Sequence, residues 1–294
     1  MTPRHQPRHF KLRSRNNQFQ HLQVLKNNRE KRTRYKEFVV EGVRSINAAC
    51  ARGWAIVSFV YDPSNLHSDW AKTLLAENRA EQYLEVERSL FAELSDKDNP
   101  SEVLAVVRSA EDDLSRITLD QQSLIVVFDR PASPGNLGSS IRSCDALGAT
   151  AVLITGHAAD VYDPLCVRAS TGSLFAVPII RLDSAAQVLE WRANLLTKGH
   201  RLQLFGTDES GQTSVDHADL TGPSLIVFGN ETHGLSKAFS SSCDLLLKIP
   251  MQGSASSLNI SCATSIVLYE CQRQRLKRAL PSKHPPAEPG ALNR

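Results

Sequence analysis

The chain has 294 residues, 41% hydrophobic, 22% charged and 6% aromatic. This composition excludes a wholly disordered, collagenous or membrane-spanning protein and allows two domains of roughly 100–200 residues. The net charge of +3 conceals a gradient: residues 1–44 carry twelve Lys and Arg against three acids, a local +9 that leaves −6 for the rest. Such asymmetry points to a polyanionic partner.

Residues 1–12 read as a disordered, solvated basic tail. The basic stretch 16–36, with Phe19, Leu22, Val24 and Leu25, fits one or two short helices. Strands are predicted at 38–40, 56–61, 83–86 and 103–107, between helices at 43–51, 70–78 and 90–94, giving a small α/β domain over 13–108. The polar, acidic SAEDDLSRITLDQQ at 109–122 reads as a linker. A second domain then covers 123–278, with apolar strands predicted at 124–128, 151–154, 177–180, 202–205, 224–228 and 245–249. Strands that are apolar throughout and alternate with helices call for a parallel sheet covered on both faces. A last helix over about 257–277 ends on basic residues, which suits the negative end of its dipole. Residues 279–294, rich in proline, read as a disordered tail.

No apolar run approaches the ~18 residues of a spanning helix, and the N-terminus has no apolar segment of secretory type. The cysteines (Cys50, Cys144, Cys166, Cys243, Cys262, Cys271) have neither C-x-x-C nor metal-ligand spacing. The expectation is a cytoplasmic protein with reduced thiols, no metal and no membrane partner.

Three glycine-punctuated loops follow predicted strands at their carboxyl ends, where open α/β sheets bind ligands. The first, DRPASPGNLGSSIR at 129–142, is stiffened by two prolines and brings Asn136 to a helix entry, with Arg142 six residues on. The second, FGNETHGLS at 228–236, sets Glu231 between glycines; His233 has no orienting partner in the sequence and reads as a loop histidine. The third, IPMQGSASSLNIS at 249–261, offers small residues whose backbone groups a bound adenine could reach. Each loop alone reads equally well as a plain strand–turn–helix connection. Neither G-x-G-x-x-G with a following acid nor G-x-x-x-x-G-K-[ST] occurs, which argues against NAD and ATP sites.

Together, in order and spacing, the loops resemble the three motifs of the SpoU (TrmH-like) branch of the SPOUT RNA 2′-O-ribose methyltransferases. VYDPLCVRASTGSLF at 161–175, SRNNQFQ at 14–20 and KRTRYKEFVVEG at 31–42 extend the likeness to about residues 12–278. Within the family it is similar to the avilamycin-resistance type of large-subunit rRNA methyltransferase, through DRPASPGN (129–136), GHAADVYDP (156–164), GNETHGLS (229–236) and GSASSLN (253–259). Thr232, where most of the family has glycine, and Ser256, just before the S-L-N triplet, depart from the general pattern.

The resemblance implies S-adenosylmethionine-dependent 2′-O-methylation of RNA, at a uridine of 23S rRNA, with resistance to an orthosomycin-type antibiotic as one consequence. It implies a C-terminal trefoil knot and a homodimer through the C-terminal domain, each cofactor site lying beside the partner chain. By motif match, Gly229, Ile249 and Leu258 hold the cofactor through backbone groups, with Thr207 and Met251 close by. Asn136, Arg142, Glu231, Ser257 and Asn259 form the polar catalytic site. Arg142 is the residue the family assigns as base, but a guanidinium stays protonated. Gripping a phosphate and stabilising the developing alkoxide suits it better. Arg13, Arg15, Lys31, Arg32, Arg34 and Lys36 are the candidate RNA contacts, giving affinity through phosphates. A tRNA substrate and a catalytically silent RNA-binding homologue are the competing readings.

Overall fold

The computed structural model describes residues 7–95, 97 and 99–279; the first six residues and all but the first of the expected C-terminal tail lie outside it. The first domain runs β1 (Arg8–Leu12), α1 (Asn17–Asn27), α2 (Arg29–Tyr35), β2 (Glu37–Glu41), α3 (Val43–Ala51), β3 (Ile56–Tyr61), α4 (Asp69–Glu77), β4 (Gln82–Val86), α5 (Arg88–Leu94) and β5 (Val103–Arg108). Asparagines punctuate its start: the Asn16 and Asn28 side chains accept from the Phe19 and Lys31 N–H groups, capping α1 and α2. The strands form one sheet in the order β1-β4-β3-β5-β2. Residues 8–12 are therefore not part of a disordered tail: β1 pairs in parallel along β4, from Arg8 opposite Gln82 to Leu12 opposite Val86. Leu12 is buried with Phe19, Leu22 and Leu25 of α1, and that burial fixes the strand.

The second domain runs β6 (Leu124–Asp129), α6 (Pro134–Ala146), β7 (Ala151–Thr155), α7 (Pro164–Ser170), β8 (Ile179–Leu182), α8 (Ala185–Thr197), β9 (Gln203–Thr207), β10 (Thr213–Ser214), β11 (Ser224–Phe228), α9 (Lys237–Ser240), β12 (Leu245–Lys248) and α10 (Ile260–Ala279). Its seven strands are all parallel, ordered β10-β12-β9-β11-β6-β7-β8. Alternate residues face opposite layers. Val126, Phe128, Ile226 and Phe228 join the core beneath α6, α7 and α10, whereas Ile125, Val127, Leu225 and Val227 pack toward Val188 of α8 and Phe239 of α9. Strand β8 starts two residues later than expected, since Pro178 has no N–H to give to a ladder.

The segment 109–122 is packed rather than loose. Its Ile117 is buried on the α8 face, Arg116 donates to the Ile179 carbonyl, and the Asp112 carboxylate accepts from Arg181. The two domains share one apolar core in which Phe38 lies 4.4 Å from Tyr162 and Trp54 5.1 Å from Phe175, ring centre to ring centre. Trp54 Nε1 donates to the Phe175 carbonyl, and a buried ion pair joins Arg32 Nε to Asp160 Oδ2 at 2.7 Å.

Candidate active site

The carboxyl ends of β6, β9, β11 and β12 point to one side of the sheet, and the loops leaving them close a cleft of about 540 Å³. Ser133 caps α6 by accepting from the Asn136 N–H at 3.3 Å, and Pro134 pre-sets the first turn, so Asn136 is held at the helix entry. The β11 loop folds back on itself: Asn230 and Gly234 exchange both backbone hydrogen bonds, and Asn230 Oδ1 accepts from the Thr232 and His233 N–H groups. A Cβ on Gly229 would lie 2.4 Å from the Gly234 carbonyl carbon, so glycine is required there by the loop itself.

Glu231 joins the first two loops. Its Oε2 accepts from the Ala132 N–H at 2.9 Å, and its Oε1 from the Ser133 N–H and from Asn136 Nδ2 at 3.4 and 3.3 Å. Burial pushes its carboxyl up, but those donors outweigh it and hold it below the ordinary carboxylate range. Asn136 Oδ1 accepts in turn from Asn259 Nδ2 at 3.0 Å, while Asn259 Oδ1 accepts from the Ser261 N–H and starts α10. Asn136, Glu231 and Asn259 are thus one hydrogen-bonded chain contributed by three separate loops.

Beneath it lies a support that the sequence pattern did not reveal. Buried Asp129 accepts from the Ser236 N–H at 2.7 Å and from Thr155 Oγ1, and Arg130 reaches the Gly234 carbonyl while Asn230 Nδ2 donates to the Arg130 carbonyl. Asp129 ends an otherwise apolar strand and is 2% exposed; a lone acid closing such a run was the available signal.

Asn136, Glu231, Ser257 and Asn259 all line the cleft, and so do Thr207, Gly229, Ile249, Met251 and Leu258. Asp208, Glu209 and Lys248 line it as well and were not anticipated. Arg142 does not. Six residues beyond Asn136, it sits about 120° round α6 and ~9 Å along it, exposed and with no partner among the described residues. His233 is exposed and outside the lining, as expected of a loop histidine.

The expected RNA contacts divide. Arg13 and Arg34 are exposed and Lys31 half-exposed, all three without a side-chain partner among the described residues. Arg15 lies on Glu93 and Lys36 on Glu111, both at the surface. Arg32 must be reassigned. It is 5% exposed, paired with Asp160 and Asp163, and donates to the carbonyls of Leu25 and Lys26, so it docks the domains and cannot face RNA. Among the described residues no group of His, Cys, Asp and Glu could hold a metal ion, and no helix is long and apolar enough to cross a membrane.

A parallel sheet whose carboxyl-end loops enclose a small-molecule cleft, docked to a second α/β domain, defines a two-domain α/β enzyme with a nucleotide-sized site. The chain belongs to the SpoU rRNA Methylase family, whose model matches residues 123–269, preceded by a SpoU L30e-like domain over 16–105. It is 48% identical over 267 residues to a 23S rRNA (uridine(2479)-2′-O)-methyltransferase of Streptomyces viridochromogenes, covering 90% of this chain and 93% of that one. The crystal structure of the SpoU methyltransferase AviRb from the same organism, in complex with the cofactor AdoMet, superposes with a TM-score of 0.86 at 49% identity, over 89% of this chain and 99% of that one. The 23S rRNA (guanosine-2′-O-)-methyltransferase RlmB of Haemophilus influenzae is 33% identical over 196 residues, 65% of this chain and 78% of the relative.

Proposed function

We propose that this protein methylates a ribose 2′-oxygen of a uridine in 23S rRNA, using S-adenosylmethionine. The observation that carries the reading is the Asn136–Glu231–Asn259 chain set against the cleft whose wall includes Gly229, Ile249 and Leu258. The cleft fits the cofactor in size, and the loop backbones at Gly229, Ile249 and Leu258 offer an adenine the polar groups it needs. When bound, the cofactor supplies an electrophilic sulfonium methyl. Glu231, with its carboxylate occupied and its pKa lowered, is unsuited to take the ribose proton; it fixes the 132–136 loop instead. Asn136 and Asn259 orient the ribose, and Arg142 grips the adjacent phosphate and stabilises the developing alkoxide, the proton leaving to phosphate or water.

Arg142 reaches such a position only across a homodimer. Cys262, Ile266 and Tyr269 form an exposed stripe at i, i+4 and i+7 along α10, which packs on α6. A second copy covering this stripe brings its Arg142 to the neighbouring cleft. A trefoil knot at the C-terminal end belongs to the same reading; it is supported by β12 lying outside β9 while α10 returns to α6. Arg13, Lys31 and Arg34 supply phosphate contacts from the first domain, and the enzyme works in the cytoplasm. Mapping ribose methylation on 23S rRNA in cells with and without the gene tests the reading: one uridine gains the mark with the intact gene and none with Arg142→Ala. An unchanged rRNA, or a mark on tRNA, overturns it. Growth of the same strains in avilamycin reads out whether the mark confers resistance.

A further inference from the structure

Two arginines of α2, Arg29 and Arg32, meet the second domain at one place, the turn 158–163 between β7 and α7. Arg29 Nη1 donates to the Ala158 carbonyl at 2.6 Å, and Arg32 pairs with Asp160 and Asp163. Asp160 Oδ1 also accepts from the Tyr162 N–H at 3.0 Å, and Ala158, Val161 and Tyr162 are buried in the core the domains share. The turn belongs to the second domain in sequence, yet the first domain holds it.

The same turn touches the first loop of the site. The Ala159 N–H donates to the carbonyl of buried Pro131 at 2.6 Å. Arg130, just before it, has a φ of +57°, in the left-handed region that an arginine occupies only where its surroundings hold it. The holds are several. Its N–H donates to the Thr155 carbonyl at 3.0 Å, its carbonyl accepts from Asn230 Nδ2 at 2.7 Å, and its guanidinium pairs with Asp129. The bond from Ala159 fixes the next residue. From this strained turn the chain runs through Ala132 and Ser133, both donors to Glu231, to Asn136. The shape of the turn therefore sets where Asn136 stands against Glu231 and Asn259.

We propose that Arg29 is a positioning residue for methyl transfer. By fixing the Ala158 carbonyl it steadies the 158–163 turn. Through Ala159 and Pro131 that turn keeps Arg130 from relaxing and Asn136 in line with the ribose. The assignment rests on the methyltransferase reading above and adds to it: the RNA-binding domain shapes the site of its own chain as well as holding the substrate. Arg29 reports this role more cleanly than Arg32. Removing buried Arg32 leaves two acids without their cation, whereas Arg29 is exposed and its partner is one neutral carbonyl, so its removal strands no charge.

Steady-state kinetics of the full chain on 23S rRNA from cells lacking the gene tests it, with Arg29→Met and Arg29→Lys. The methionine keeps the apolar stem and removes the donor. Its kcat should fall roughly tenfold, the equivalent of one hydrogen bond from a charged group. The KM for S-adenosylmethionine, the Kd for RNA and the salt slope of RNA binding should stay as in wild type. Arg29→Lys, which keeps a donor for the carbonyl, should recover most of the rate. Amide hydrogen exchange, which needs no turnover, should quicken at Ala132, Ser133 and Asn136 in Arg29→Met and stay unchanged in the strands of the first domain. An unchanged kcat overturns the proposal. So does a salt slope flattened by about one, which would make Arg29 a phosphate contact, and so does faster exchange throughout both domains, which would make it part of the fold alone. A wild-type chain that leaves the rRNA unmethylated refutes the methyltransferase reading itself, a separable result with which the assignment of Arg29 also falls.

Discussion

A carboxylate that accepts three hydrogen bonds from one loop stabilises that loop only while it is ionised. Glu231 is such a group, and its folded pKa lies below its ordinary value of 4.5 despite partial burial. The sign follows: its contribution is full above the unfolded pKa and is lost as pH falls through the lowered folded value. The melting temperature of wild type should exceed that of Glu231→Gln by a constant margin from pH 7 to about 5, and the margin should shrink below about 4.5. A margin independent of pH down to 3 would remove the ionised clamp. At this scale the sequence told residue types and spacings but not their fates. Arg32 and Arg34 lie on the same short helix and look alike as letters; one is sealed between domains and the other is free. Only the acids Asp160 and Asp163, some 130 positions away, decide which. The polar residues of the three loops were legible only through the joint resemblance of those loops to a family's motifs, since each loop alone reads as a plain connection, whereas Asp129 and Asn230 act through backbone groups a hundred residues distant.

At the scale of elements, α6 carries the first loop and must lie close to α7. A Cβ on Gly138 would come within 2.3 Å of the Cys166 carbonyl oxygen and 2.8 Å of Ala169 Cβ, so the two helices touch backbone to backbone at this point. Gly138→Ala should cost about 1–3 kcal/mol through overpacking, against the small gain a helix interior normally takes from alanine. Chemical denaturation measures it; a stabilised variant would show that the helices can separate there at little cost. Strands β6, β7 and β11 were the most readable because each is buried along its whole length, the mark of a strand covered on both faces. β1 was not readable. Its RHFKL is basic and alternates weakly, and it becomes a strand only because β4 offers an open edge and Leu12 a place under α1. β10, two residues long, carries no periodicity at all.

At the scale of the whole molecule, the interface between the domains is a continuation of the core, crossed by a buried charge pair. Arg32→Ala would leave Asp160 uncompensated and should lower stability by about 3–5 kcal/mol. The same variant should leave the salt dependence of RNA binding unchanged, whereas Arg13→Ala and Arg34→Ala should each flatten its slope by about one. Filter binding across a salt series separates the two classes, and a flattened slope for Arg32→Ala would return it to the RNA surface. The homodimer proposed above predicts complementation. Arg142→Ala and Asn136→Ala chains, each inactive alone, should recover about a quarter of wild-type activity when mixed and allowed to exchange subunits, since half the dimers would contain one intact site. No recovery would place Arg142 in its own chain's site. Strand order was the part of the architecture least visible in the sequence, because parallel crossovers leave no local trace of where a strand will insert. The place of β11 has a consequence for how the chain is made. It separates β6 from β9 although it follows both in the chain, so until residue 228 has been synthesised the β6–β7–β8 sheet ends at an open β6 edge and β9 has no partner strand. Such edges pair readily with other chains, and growth at ~5–20 residues per second keeps them open for seconds. Nascent chains halted between residues 207 and 224 should accordingly be those most prone to aggregate, and completion of one central strand closes the β6 edge and gives β9 its first partner.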